Sequence, residues 1–152
     1  MEQSLSAFAE AFRSLYHIEK TDVRTYPALT LAYIGDGVYE LVIRSYLVRR
    51  YNRSVNGLHQ KSSQLVNAAT QSRMIEAIRE KLTEDELAAY RRGRNAHAYT
   101  KAKHASMSDY RRATGFEALI GYLFLEERYE RLTVLIHEGL LQLGLVETPP
   151  ES

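Results

Sequence analysis

Residues 27–50 read PALTLAYIGDGVYELVIRSYLVRR, and this stretch decides the fold. Proline suits the first turn of a helix. From there Leu31, Ile34, Val38, Leu41 and Val48 recur at three-four spacing, with Ser45 in the gap, which predicts a long helix carrying that stripe toward the core. Asp36 stands between Gly35 and Gly37. Read alone, Asp-Gly means a turn, and helix-interior glycines cost about 1 kcal/mol each relative to alanine. The apolar spacing nevertheless continues in register past them, so the helix is retained. On a helical wheel Asp36 lies roughly opposite the Ile34–Val38 stripe, beside Ala32, Tyr39, Glu40 and Ile43. A helix apolar on most sides is central. A carboxylate on it must be paired, hydrogen-bonded or metal-bound, because an isolated buried charge costs too much.

A second stretch, ATGFEALIGYLFLE at 113–126, has the same character. Its Glu117 shares a side with Tyr110, Thr114, Gly121 and Phe124, so that face is not polar either. Two helices distant in sequence each carry one carboxylate on a mostly apolar background. If they pack together, Asp36 and Glu117 share a divalent cation. Hard oxygen ligands with remaining waters suit magnesium, which activates water and stabilises charge on a phosphodiester. The plainer alternative is that each acid bonds to backbone or to an arginine.

The rest of the chain is helical in pattern. Residues 5–18 are amphipathic, and Asn56 is a candidate N-cap for a helix through Leu65 and Val66. Another helix is expected over 71–81. Thr83 and Glu86 have the form of a capping box, with a helix running to about Arg92. Gly93 is expected to break it and to open a loop over 93–106. Ser106 or Ser108 caps the next helix, and a last helix covers 130–143, ending at Gly144. No strand pattern or repeat interrupts this, so the expectation is one all-α domain over 1–146 with a disordered tail at 147–152. The absence of cysteine, of a signal-like N-terminus and of a spanning apolar run leads to a soluble cytoplasmic protein with no membrane partner.

The net charge of +1 conceals a clustering: residues 91–112 carry Arg91, Arg92, Arg94, Lys101, Lys103, Arg111 and Arg112 against Asp109 alone. Such a stretch is either a solvated surface or the footprint of an anionic partner.

LAYIGDGVYELVIRSYL resembles the signature helix of the ribonuclease III family, and ATGFEALIGYLFLE resembles that family's second catalytic helix. NGLHQKSSQLVN between them is similar to its middle helix. The likeness covers roughly residues 27–130. The larger family has a further acid four residues before the aspartate and another three residues before the glutamate; Ala32 and Thr114 stand there instead. These departures are similar to the Mini-ribonuclease III branch. So are the short length, the Arg92-Gly93-Arg94-Asn95-Ala96 run and His59-Gln60-Lys61-Ser62. The resemblance implies a ribonuclease III endonuclease-domain fold and a working homodimer without a separate double-stranded-RNA-binding domain. It implies a metal-dependent endoribonuclease acting on structured precursor RNA, with Asp36 and Glu117 as catalytic metal ligands for Mg2+ and Mn2+ as a substitute. It also implies maturation of large-subunit (23S) ribosomal RNA, helped in some members by a ribosomal protein. A non-catalytic RNA-binding or ribosome-associated module on the same fold is the competing reading.

Duplex RNA is read mainly through its shape, phosphates and 2′-hydroxyls. Arg92, Arg94, Lys101 and Lys103 are therefore expected on phosphates, Asn95 on a 2′-hydroxyl, and Lys61 as a further phosphate contact. His59 reads as a capping or core-edge residue, and His97 and His104 as solvated. For the dimer, the signature helix is the candidate interface. Tyr39, Ile43 and Tyr46 are its contact candidates and equally candidates for the monomer core.

Overall fold

The computed structural model describes residues 4–96 and 106–147. Among them the order is α1 (Leu5–Leu15), a 3-10 turn (Val23–Thr25), α2 (Ala28–Arg50), α3 (Val55–Leu65), α4 (Ala68–Ile78), a second 3-10 turn (Arg79–Lys81), α5 (Glu84–Arg94), α6 (Met107–Leu125) and α7 (Tyr129–Gln142). The described residues hold no strand, and no described helix is long and apolar enough to cross a membrane. The expected all-α class is what the chain adopts.

The helix starts follow from short polar side chains that accept from orphan amide groups. Ser54, Asn67, Thr83 and Ser106 cap α3, α4, α5 and α6. Thr83 and Glu86 form the reciprocal capping box that their spacing predicts. The α3 cap is Ser54, not Asn56, and α4 begins at Ala68, three residues before the expected start. Gly144 adopts φ +69°, the left-handed conformation that ends the chain path of α7.

Helix α6 is the centre. From Ala113 to Leu123 only Glu117 is not buried. It packs against α2, α5 and α4, and α7 closes the far side of α4. A helix apolar all round belongs in such a position.

Three expectations are corrected here. First, the α2 stripe is not the one its three-four spacing indicates. Leu41 and Val48 are 64% and 63% exposed, whereas Leu31, Ala32, Gly35, Val38, Tyr39, Ile43 and Leu47 are buried. The apolar residues of α2 spread around most of its circumference, and α6 packs on the arc that runs from Val38 and Leu31 through Tyr39 to Leu47, which leaves Leu41 and Val48 outside. Second, Tyr39 and Ile43 are both 0% exposed and lie in the core of one chain, where they cannot be dimer contacts. Third, Gly93 does not break α5. The helix runs on to Arg94, and Gly93 is buried where a side chain would lie 2.6 Å from the Ala118 Cβ. It is a close-packing glycine against α6.

Candidate active site

The site is created by how closely α2 and α6 cross. A Cβ on Gly35 would overlap the backbone carbonyl of Glu117, and a Cβ on Gly121 would overlap the carbonyl of Leu31. The two helices therefore touch backbone to backbone at two reciprocal points one turn apart. Larger residues would hold their axes at the ordinary 8–10 Å or beyond. Gly37, the other glycine beside Asp36, has nothing within 4 Å of its Cβ position. It faces outward and takes no part in the crossing.

Asp36 follows Gly35 and Glu117 supplies the opposing carbonyl, so the crossing brings their carboxyl groups close enough for Asp36 to act on Glu117. Asp36 is exposed, at the edge of the buried side of α2, while Glu117 is half-buried. The expectation that Asp36 sits in an apolar interior is thus corrected: its partner is the more enclosed of the two. Burial first, then the hydrogen bond to Asp36 and its negative charge, push Glu117 up to about 9. Two carboxylates this close cannot both ionise cheaply without a counter-charge. Around neutral pH, with no counter-charge present, Glu117 therefore holds its proton.

The walls of the site are apolar and fixed. Tyr39 is fully buried beneath Glu117, where burial and then the Glu117 charge raise its hydroxyl far above the usual tyrosine range. That hydroxyl donates to the Leu65 carbonyl at 2.6 Å, and its ring meets Phe116 edge-on with centroids 5.5 Å apart. Ala32 and Thr114, at the two positions where an acid is replaced, are each 8% exposed. The Thr114 hydroxyl is turned back to the Tyr110 carbonyl at 2.9 Å. Among the described residues no cluster of three or more His, Asp or Glu side chains forms. The Asp36–Glu117 pair is the candidate position for a cation.

The expected RNA-binding residues fall into two separate groups. Lys61 lies with its Nζ 4.3 Å from the Tyr51 ring centroid, at the end of α2, and Arg53 lies against the same ring. Arg92 and Arg94 are at the end of α5. Arg92 donates to the Tyr26 carbonyl at 2.8 Å, and Arg94 packs against Tyr90 and donates to the Asn95 side chain. Asn95 is the C-cap of α5. Lys101, Lys103, His97 and His104 lie outside the described residues. Sequence reasoning did not single out Gly121, whose signal is its place four residues after Glu117, nor Tyr90, which no pattern marks.

Comparison with known proteins agrees with this geometry. The model of the Ribonuclease III domain matches residues 29–128. The chain is 48% identical over 114 residues to the Mini-ribonuclease 3 of Clostridium tetani, covering 74% of this chain and 76% of that one. It is 43% identical over 125 residues to the Mini-ribonuclease 3 of Enterococcus faecalis, covering 81% and 95%. Its fold is similar to a crystal structure from Fusobacterium nucleatum with a TM-score of 0.72 and 28% identity, over 83% of this chain and 99% of that one. The matched span begins on α2 and ends just past α6, and so contains both halves of the carboxylate pair. The chain belongs to the ribonuclease III family, in the branch of the Mini-ribonuclease 3 proteins, and is an endoribonuclease of that family.

Proposed function

We propose that the chain cleaves double-stranded or structured precursor RNA with a divalent metal held by Asp36 and Glu117. The observation that carries this reading is the carboxylate pair set across the glycine crossing of α2 and α6. The donor set fits a small hard cation. Two carboxyl groups lie in reach of each other, and one keeps a proton only because its neighbour's charge and its own burial oppose ionisation. When bound, Mg2+, or Mn2+ in its place, supplies Lewis-acid stabilisation of the phosphodiester and a water of lowered pKa. Tyr39 and Phe116 pack edge-on in the core beside the crossing, and the exposed Asp36 side leaves open the approach of the RNA backbone.

Lys61, Arg92, Arg94, Asn95, Lys101 and Lys103 are assigned to RNA binding. The two groups that are described each hold a cation against a tyrosine with its charged end free of carboxylates among the described residues. The working unit is a homodimer across the outer face of α2, where Tyr33 is 82%, Leu41 64% and Val48 63% exposed around the open Gly37. Two sites at a fixed separation cut both strands of a duplex at a fixed stagger. The substrate is precursor large-subunit ribosomal RNA in the cytoplasm, with a large-subunit ribosomal protein as an assisting partner.

Incubation with long duplex RNA and magnesium is the direct test. The wild-type chain shortens the duplex and Asp36→Asn leaves it intact. Intact RNA in both samples overturns the reading.

A further inference from the structure

Away from the carboxylate pair, two arginines lie against one buried tyrosine, and a shared glutamate ties a third arginine to them. Tyr90 on α5 is 0% exposed, and its buried hydroxyl has no hydrogen-bond partner among the described residues. Arg79, just after α4, and Arg94, at the end of α5, place their guanidinium carbons 5.6 and 5.5 Å from its ring centroid. Glu76 on α4 joins Arg79 at 3.6 Å to Arg112 on α6 at 3.4 Å, and Arg112 also lies 3.9 Å from Asp109. Burial first, and then the Glu76 charge, raise the Tyr90 hydroxyl, with Arg94 and Arg79 opposing. Glu76, Arg94 and Arg79 therefore all act on that one oxygen.

The residue types and their state are informative. All three cations are arginine, whose planar fork matches a phosphate in two parallel hydrogen bonds. The Arg79 and Arg112 side chains are 36% and 39% exposed, so they are held in place yet open to a ligand. Glu76 bridges Arg79 and Arg112 with ion pairs longer than hydrogen bonds, Asp109 adds a third at 3.9 Å, and Arg94 makes no ion pair among the described residues, so the cluster keeps one net positive charge. Arg73 and Arg111, also exposed, make no ion pair among the described residues and flank the cluster on α4 and α6. Arg112 precedes Glu117 by five residues, which is about 7.5 Å along α6 and about 140° around it. The cluster thus occupies a different side of α6 from the carboxylates.

We propose that Arg79, Arg94 and Arg112, gathered around Glu76 and Tyr90 where α4, α5 and α6 meet, bind the RNA phosphate backbone at a second site that anchors substrate away from the cut. The inference rests on the reading of the chain as a ribonuclease of structured RNA and names where that RNA is held.

The test uses the full chain with Arg79→Gln/Arg112→Gln, which keeps the side-chain stems near Tyr90, and in parallel Arg79→Ala/Arg112→Ala. Binding to long duplex RNA is measured in chelator over a salt series, and cleavage is measured separately with magnesium. Removing one arginine–phosphate interaction lowers the slope of log affinity against log salt by about 0.9. With two arginines removed, the expected result is a slope smaller by about 1.8, a KM raised about tenfold, and a kcat near wild type at saturating RNA, in the Gln pair even if the Ala pair folds poorly. Unchanged affinity, slope and KM in a folded Gln pair overturn the second site. So does RNA binding that stays intact while an acidic peptide protects these arginines from chemical modification, which would make the cluster a protein-docking surface. A wild-type chain that fails to cleave duplex RNA at all sinks the ribonuclease reading instead, and the binding series still reads the cluster.

Discussion

Gly35 of α2 rests against the backbone carbonyl of Glu117 on α6, and this approach sets the distance between the two helices. Asp36 is the next residue along α2, so the same approach sets the distance between the two carboxyl groups. Gly35→Ala forces the helices apart. The expected cost is about 1–3 kcal/mol of stability, as for other overpacked interiors, with cleavage abolished while RNA binding persists. Thermal melting beside a cleavage assay checks this. A fully active, equally stable alanine variant contradicts the proposed role of the crossing.

Asp36→Asn and Glu117→Gln each remove one of the two proposed metal ligands. Both variants are expected to abolish cleavage and to retain RNA affinity within a few-fold, measured by filter binding in chelator. Glu117→Gln should also leave neutral-pH stability in chelator close to wild type, because that carboxyl already carries a proton there. Substantial cleavage by either variant removes that residue from the catalytic assignment.

The outer face of α2 carries Tyr33, Leu41 and Val48 exposed around Gly37. Leu41→Asp is expected to give a folded monomer that no longer makes paired cuts, seen by sedimentation and by product analysis. Ile43→Asp, by contrast, puts a charge at a fully buried position and should unfold the chain. Gly37→Ala meets no atom within one chain and should add up to about 1 kcal/mol of helix stability, while weakening a dimer that packs against it. A wild-type monomer making staggered cuts defeats the dimer assignment.

Glu86 is 1% exposed and accepts from Arg131 at 2.8 and 2.9 Å as well as from the Thr83 amide at 2.9 Å. Burial alone would raise this carboxyl. The Arg131 and Thr83 hydrogen bonds outweigh it and hold the group below its ordinary value of 4.5. A depressed acid contributes stability above its unfolded pKa, and the contribution is lost as pH falls through the folded one. Arg131→Ala leaves a buried charge unpaired and should cost about 3 kcal/mol at pH 7. The gap to wild type should narrow on acidification below pH 4.5, where the variant's Glu86 is protonated at less cost. Denaturant titrations at pH 7 and pH 4 measure it, and a gap that widens instead excludes this account.

Arg94 and Lys101 belong to the basic run after α5. Their joint replacement by alanine should weaken duplex RNA binding for any sequence and flatten its salt dependence by about 0.9 for each phosphate no longer neutralised. An unaltered slope would mark the run as a solvated surface.

Sequence alone determined the helical class, because caps and apolar periodicity are local and each helix states its own limits. Thr83 with Glu86, Ser106 and Gly144 all act where their spacing puts them. Asp36 and Glu117 stood out in the sequence as acids on mostly apolar helices, yet only the packing shows that Glu117 is enclosed while Asp36 is exposed. Which face of α2 is buried was not legible, since its apolar residues spread around most of the helix and only α6 chooses among them. Hence Tyr39 and Ile43 went inside while Leu41 and Val48 stayed outside. The two glycines beside Asp36 look alike in sequence, yet one is the crossing point and the other faces open space. The gathering of Arg79, Arg94 and Arg112 around Tyr90 and Glu76 joins residues up to 36 positions apart. No local rule links them; only the packing of α4 and α5 on α6 brings their charges together.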